Sequence, residues 1–270
     1  MPEAIHFISG LPRSGSTLLA ALLTQNPRFH AGMSGPVGTL FTGLLGQMSG
    51  SNEFSVFLDE TQKKAILKGV FENYYAARRD KVVFDTNRLW CSKMPALAEL
   101  FPDARVIACV RQTAWIVDSI ESLIRRNAFE MSKIFNFDAG GTVFSRAEGL
   151  SRGDGMVGFA MNALKEAYYG KHSGNLMILR YETLTSRPAD AMKAVYAFVG
   201  EKPYGHDFNN VEFGAEEFDT RLGTPGLHRV GRQVKAVKRE TILPPDIFRR
   251  YENDNFWEDP AANLRGVRVL

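Results

Sequence analysis

The sequence predicts a single three-layer α/β domain over residues 1–270, with a mostly parallel central sheet that opens on a strand, a phosphate-type turn and a helix. Three observations point there. Short, continuous apolar runs recur along the chain, at 4–9, 81–85, 105–110 and 176–181. Segments of helical period separate them, and the first run is cut by Gly10-Leu11-Pro12 before Leu18, Leu19, Leu22 and Leu23 fall at helical spacing.

In chain order, residues 4–9 (AIHFIS) form the first strand and 16–25 (STLLAALLTQ) the helix behind it. Residues 32–50, rich in glycine and serine, read as a loop. A helix over 61–79 follows, with Ile66, Leu67, Val70, Tyr74 and Tyr75 on its apolar side. The strand KVVFD at 81–85 comes next, then a helix ending at 97–101, which Phe101-Pro102-Asp103 breaks. Residues 105–110 (RVIACV) are a strand of the buried type that runs straight into Arg111, and 114–126 form an amphipathic helix. Residues 135–158 are poorly patterned. Helices over 159–169 and 189–199 flank the strand LMILRY at 176–181. Residues 200–231 read as irregular, and Pro244-Pro245 opens a last short helix ending near 255–257.

Composition narrows the class. With 44% hydrophobic and 23% charged residues, the chain is of the ordinary globular kind and is neither disordered nor built on disulfides. No apolar run approaches the roughly 18 residues of a membrane span, and an apolar strand pattern beginning by Ala4 leaves no room for a charged leader. Cys91 and Cys109, each inside an ordered segment, and the absence of an N-x-[ST] acceptor fit a reducing, cytoplasmic setting. A net charge of +3 is too mild to argue for nucleic acid.

Residues 10–17 (GLPRSGST) have the glycine spacing of a phosphate-cradling loop, in which backbone N–H groups and a helix N-terminus face anionic oxygens. The lysine of a magnesium-nucleotide cradle is missing, and Arg13 is the loop's only cation. The strand at 105–110 delivers Arg111 where metal-dependent phosphoryl transfer would want an aspartate. Ser119, just over a turn into the next helix, can grip an anion together with Arg111.

Leu11 to Leu19 (LPRSGSTLL) resembles the 5′-phosphosulfate loop of sulfotransferases that use 3′-phosphoadenylyl sulfate (PAPS). Arg111 with Ser119 resembles that family's 3′-phosphate motif, and 97–119 (LAELFPDARVIACVRQTAWIVDS) resembles its approach to the arginine. The likeness runs from about Ile5 to Val199 and is strongest to the bacterial and tyrosylprotein-type branch. It implies PAPS as donor, 3′,5′-ADP (PAP) as product and no required metal. It also implies Arg13 on the sulfonate and the backbone of Ser14, Gly15, Ser16, Thr17 and Leu18 on the 5′-phosphate. Arg111 and Ser119 would then hold the 3′-phosphate and Tyr181 would lie near the adenine. A late basic loop over 226–232, including Arg232, would cover the nucleotide.

The chain departs from the family where a base is needed. Tyrosylprotein relatives carry a glutamate after the loop helix, and this chain has Gly32-Met33-Ser34-Gly35-Pro36-Val37. Asp85, at a strand tip, is the first candidate base and His228 the second. Arg88 or Lys93 stands for the family's charge-stabilising lysine. The residues also leave open a PAP-binding protein without catalysis, or a small-molecule kinase. The acceptor would be a small molecule, carbohydrate, lipid or peptide, met by the loops at 32–57, 135–158 and 205–232. Residues 153–158 (GDGMVG) spell G-x-G-x-x-G without a preceding strand, and are expected to be a flexible loop rather than a dinucleotide site.

Overall fold

The computed structural model describes residues 2–50, 52–129 and 141–270. Six strands, β1 (Ala4–Gly10), β2 (Phe29–Ala31), β3 (Val82–Thr86), β4 (Val106–Val110), β5 (Leu176–Arg180) and β6 (Arg268–Val269), pair in the order β2-β3-β1-β4-β5-β6. Every pairing is parallel, with Phe7 opposite Asp85 on one side of β1 and Val106 on the other. Parallel strands buried on both faces read as unbroken apolar runs, which is why the four long strands were visible in the sequence. The two short edge strands, β2 and β6, lack such a run.

The helices are α1 (Ser16–Leu23), α2 (Val37–Gln47), α3 (Glu60–Tyr74), α4 (Met94–Leu100), α5 (Thr113–Arg126), α6 (Val143–Ser151), α7 (Met156–Tyr169), α8 (Tyr181–Ser186), α9 (Pro188–Val199), α10 (Glu216–Arg221) and α11 (Pro245–Tyr251). Side chains alternate across the sheet with the strand period of two. Phe7, Val83, Val106, Ala108 and Ile178 join one core with Phe41, Phe71, Trp90 and Phe101, under α2, α3, α4 and α7. Ile8, Val82, Phe84, Ile107, Met177 and Leu179 join another with α1 and α9. A smaller cluster, with Ala114, Val117, Ala147, Leu243, Ile247 and Tyr251, ties α5, α6 and α11 together. No helix among the described residues is long and apolar enough to cross a membrane.

Two stretches expected as loops contain helices. Within 32–50, α2 forms although it carries three glycines and two threonines, because Val37 and Phe41 are fully buried on the aromatic core and packing overrides weak propensity. The 135–158 loop contains α6 and the start of α7, and residues 135–140 lie outside the described part. Here G-x-G-x-x-G is a close-packed helical turn, not a flexible loop. Gly155 caps α7, and a Cβ at Gly155 or Gly158 would collide with the carbonyls of Gly149, Leu150 and Arg152. In the irregular 200–231 stretch, α10 is the only helix among the described residues.

Asp85 is an internal group. Its parity on β3 is that of Val83, so it points under α3, where it is 1% exposed. Oδ2 accepts from the Tyr75 hydroxyl at 2.5 Å and Oδ1 from Trp90 Nε1 at 2.7 Å. Burial pushes its carboxyl above the usual aspartate range, against the pull of these two donors. A raised folded-state pKa means stability that is full below the unfolded value of about 3.9 and is lost as pH rises through the folded value. Buried His6, held down to about 4 by desolvation and Arg105, has the opposite effect and loses stability as pH falls from about 6.5. The difference between wild type and Asp85→Asn isolates the aspartate. The urea midpoint of Asp85→Asn should gain on that of wild type as pH is raised from 4 to 7, and a constant offset would contradict the assignment. Gly10→Ala should be far more damaging, because its φ is +98° and the new Cβ would strike the Cys109 carbonyl. Loss of soluble folded protein, or a thermal midpoint many degrees lower, is expected.

Candidate active site

The order of the sheet creates the site. The chain leaves β1 toward β3 and β2, and later returns on the other side of β1 as β4, so the loops after β1 and β4 diverge at their C-terminal ends. Ligands bind in that crevice in open α/β sheets. A cavity of about 850 Å³ lies there. It is lined by the loop after β1, Arg111 after β4, the inner face of α5, the tip of β3 and the late segment 227–242.

The first loop alternates handedness. Gly10, Arg13 and Gly15 have φ of +98°, +56° and +93°, and Arg13 is the non-glycine residue in that region among those described. Strain of this kind persists where surrounding structure over-determines it and collects at binding sites. The Leu19 N–H donates to the Gly15 carbonyl at 2.9 Å, so the N–H groups of Ser16, Thr17 and Leu18 precede the helix's own bonding and remain for an anion. Gly15 is also needed for space, since a Cβ there would stand 3.0 Å from the Tyr181 ring.

Arg13 turns from this loop toward α5. Its Nε donates to Ser119 Oγ at 3.2 Å and its Nη1 to the Leu227 carbonyl. Burial and the nearby charges of Arg111 and Arg126 pull its pKa down to about 10. Arg111 lies 4.3 Å above the Tyr181 ring centroid. Its Nε is buried and has no acceptor among the described residues. A buried donor without a partner costs free energy unless something outside the chain accepts from it. The donor set around it, an arginine fork, the Ser119 hydroxyl and a second arginine, fits a phosphate.

The late segment is fastened at both ends by buried carboxylates. At its start, Asp219, which is 2% exposed, accepts the His228 N–H at 2.8 Å and faces His228 Nδ1 at 2.6 Å. At its end Asp118, which is fully buried, accepts from Thr241 Oγ1 and the Ile242 N–H, each at 2.8 Å, and pairs with Arg239. Arg239 also stacks 5.1 Å over Trp115.

The structure thus brings Arg13, the loop 15–18, Arg88, Arg111, Ser119, Tyr181 and His228 to one cavity, with Ser14 buried in the loop beneath. Three expected residues are elsewhere. Asp85 points into the aromatic core with both oxygens occupied, so it is not placed to reach an acceptor. Lys93 ends the 3₁₀ turn Arg88–Lys93, several residues past the strand tip, and does not line the cavity. Arg232 faces outward onto Asn210, Nε to Oδ1 2.7 Å, while Arg229, Lys235 and Arg239 of the same segment line the cavity. Sequence reasoning missed Asp118 and Asp219. Asp118 had a usable signal as the neighbour of Ser119 in a helix with a strong apolar stripe, whereas Asp219 sits in an acidic turn with no motif around it.

A model of the Sulfotransferase family matches residues 6–204. Nodulation protein NoeE of Sinorhizobium fredii (strain NBRC 101917 / NGR234) is 26% identical over 258 residues, 88% of this chain and 59% of NoeE, so the chain spans about three fifths of that relative's length. Among solved structures, the sulfotransferase domain of the Synechococcus PCC 7002 olefin synthase is similar, with a TM-score of 0.51, 17% identity and 96% of each chain covered. So is the sulfotransferase from Alicyclobacillus acidocaldarius, with a TM-score of 0.51, 15% identity, and 82% of this chain and 92% of that one covered. These likenesses agree in fold with the parallel six-stranded sheet and its flanking helices, and the family model spans both the loop after β1 and the Arg111–Ser119 pair: the chain belongs to the sulfotransferase family.

Proposed function

We propose that this chain transfers a sulfonate group from PAPS to a hydroxyl of an acceptor and releases PAP. The observation that carries the reading is the buried Arg111 Nε, without an acceptor among the described residues, in one cavity with Ser119 and the phosphate loop. Two anion sites at the ends of neighbouring strands suit a nucleotide phosphorylated at both the 5′ and the 3′ positions. Arg111 and Ser119 would hold the 3′-phosphate, the N–H groups of residues 15–18 the 5′-phosphate, and Tyr181 the adenine side.

PAPS supplies an activated sulfonate: the acceptor oxygen forms a bond to sulfur as the bond from sulfur to the 5′-phosphate oxygen breaks. The chain's part is to bind, to orient and to move one proton. Arg13, which starts from the loop and lines the cavity, would neutralise charge on the transferring group, and Arg88 stands at the tip of β3 for the same purpose. His228 is the base. Asp219 holds Nδ1–H, so Nε2 is the nitrogen left to accept the hydroxyl proton, and the second carboxylate oxygen fixes the backbone at the same residue. This Asp219–His228 pair replaces the glutamate that tyrosylprotein relatives carry and that this chain lacks.

Calorimetry in chelator without magnesium should show PAP binding well ahead of ATP. Binding that needs magnesium would reopen the kinase reading. Arg111→Ala should weaken PAP by about 10- to 100-fold, the worth of hydrogen bonds to a charged group, while adenosine 5′-phosphate loses less than about threefold. Equal losses would sink the 3′-phosphate assignment. His228→Ala should lower kcat by about 10²- to 10⁴-fold with PAP affinity kept. If His228→Ala turns over at the wild-type rate, the base is another group, and transfer absent from wild type itself would favour a PAP-binding protein without catalysis.

A further inference from the structure

The cavity holds more positive charge than its nucleotide needs. Eight cationic side chains line it, and no aspartate or glutamate does so among the described residues. Some of the charge has an assignment. Arg111 and Arg13 face the donor's 3′-phosphate and sulfonate in the reading above, and Arg88 stands at the strand tip. Arg239 is paired with Asp118, and Arg125 with Glu121 at 3.0 Å. Arg126, Arg229 and Lys235 have no carboxylate partner among the described residues.

Arg126 and Arg229 both line the cavity, one on α5 and one on the late segment. Ser119, Ser122 and Arg126 follow one another at i, i+3 and i+7 on α5, so one helical stripe carries all three along the cavity wall. Seven residues advance the helix by about 10 Å, which sets the Arg126 backbone well beyond the 3′-phosphate end. The Arg126 Nε donates to the Ser122 carbonyl at 3.1 Å, holding the side chain along this wall. On the facing segment, Asn127 Nδ2 donates to the Pro225 carbonyl and Arg13 to that of Leu227, which seats 225–229 against the end of α5. His228 lines the same cavity as Arg126 and as Arg229, its neighbour in the chain.

The arrangement is unfavourable without an anion. Arg111 and Arg126 both add to the burial that holds the Arg13 pKa down, so Arg13 carries its charge against two neighbouring guanidinium groups. We infer that the acceptor is itself an oxyanion, bearing a phosphate, sulfate or carboxylate group that Arg126 and Arg229 hold while its hydroxyl meets His228. The inference rests on the sulfotransferase reading and names the substrate class of that site. Bidentate pairing of arginine with such groups supplies orientation as well as attraction.

The test uses the full chain saturated with PAP, so that donor groups are already satisfied. Binding of two matched pairs is followed by ligand-observed NMR: glucose against glucose 6-phosphate, and 4-hydroxyacetophenone against 4-hydroxybenzoate. The charged member of at least one pair should bind at least about tenfold more tightly than the neutral one, and that preference should be lost in Arg126→Gln while PAP affinity changes less than about threefold. The proposal is overturned if neither pair shows a preference, or if the preference survives in Arg126→Gln. It is equally overturned if PAP binding falls as far as glucose 6-phosphate binding, which would assign Arg126 to the nucleotide. Failure of the wild-type chain to bind PAP strikes the donor reading itself and removes this inference with it.

Discussion

The constraint on which the site depends is the crowding of positive charge around Arg13. Arg13, Arg111 and Arg126 line one cavity, and the charges of the other two, added to burial, disfavour that of Arg13. They can be held together only by a scaffold stiffer than the force between them. That scaffold is the parallel ladder β3-β1-β4-β5, apolar on both faces, whose strand ends set Gly10 against Cys109 and carry Arg111 at a fixed offset from the loop. Stacking on Tyr181 and a hydrogen bond to Ser119 complete the restraint. Charges arranged in advance stabilise an anionic transition state without paying for reorganisation when it forms.

Negative charge is kept close but out of contact with the ligand space. Asp118, Asp219 and Glu121 are each almost fully buried, and each meets cationic or N–H groups behind the cavity wall. They act as anchors. Glu121 fastens α6 through Arg146, Asp219 shapes the turn that offers His228, and Asp118 ties the far end of the late segment to α5. Asp85 illustrates the separation from the other side. A carboxylate at the tip of β3 would oppose any anion in the cavity, and the strand's parity turns it into the aromatic core instead.

Legibility in the sequence followed the physical origin of each feature. The strands β1, β3, β4 and β5 were visible because burial on two faces demands unbroken apolar runs, and the loop after β1 because tight backbone geometry demands glycine. The Arg111–Ser119 pair was visible because one strand and one helix fix its spacing. Features set by tertiary packing were not. Helix α2 is rich in glycine and threonine and owes its form to Val37 and Phe41. Gly155 and Gly158 are small because two helices meet there, a requirement that the same letters do not distinguish from a mobile turn. The side to which Asp85 points depends on the register of its strand, and the partner of His228 on a fold of nine residues without periodicity.

The two fastenings of the late segment also bear on how the protein comes into being. The cavity joins the loop after β1 and helix α5 to residues beyond 220, through bonds such as that from Arg13 to Leu227 and those from Thr241 and Ile242 to Asp118. During synthesis the sheet strands β1, β3, β4 and β5 can pair before the covering segment has left the ribosome, but the pocket cannot close. Ligand capture therefore follows the docking of the late segment, so that the binding free energy stabilises only chains in which that segment has already folded onto the sheet.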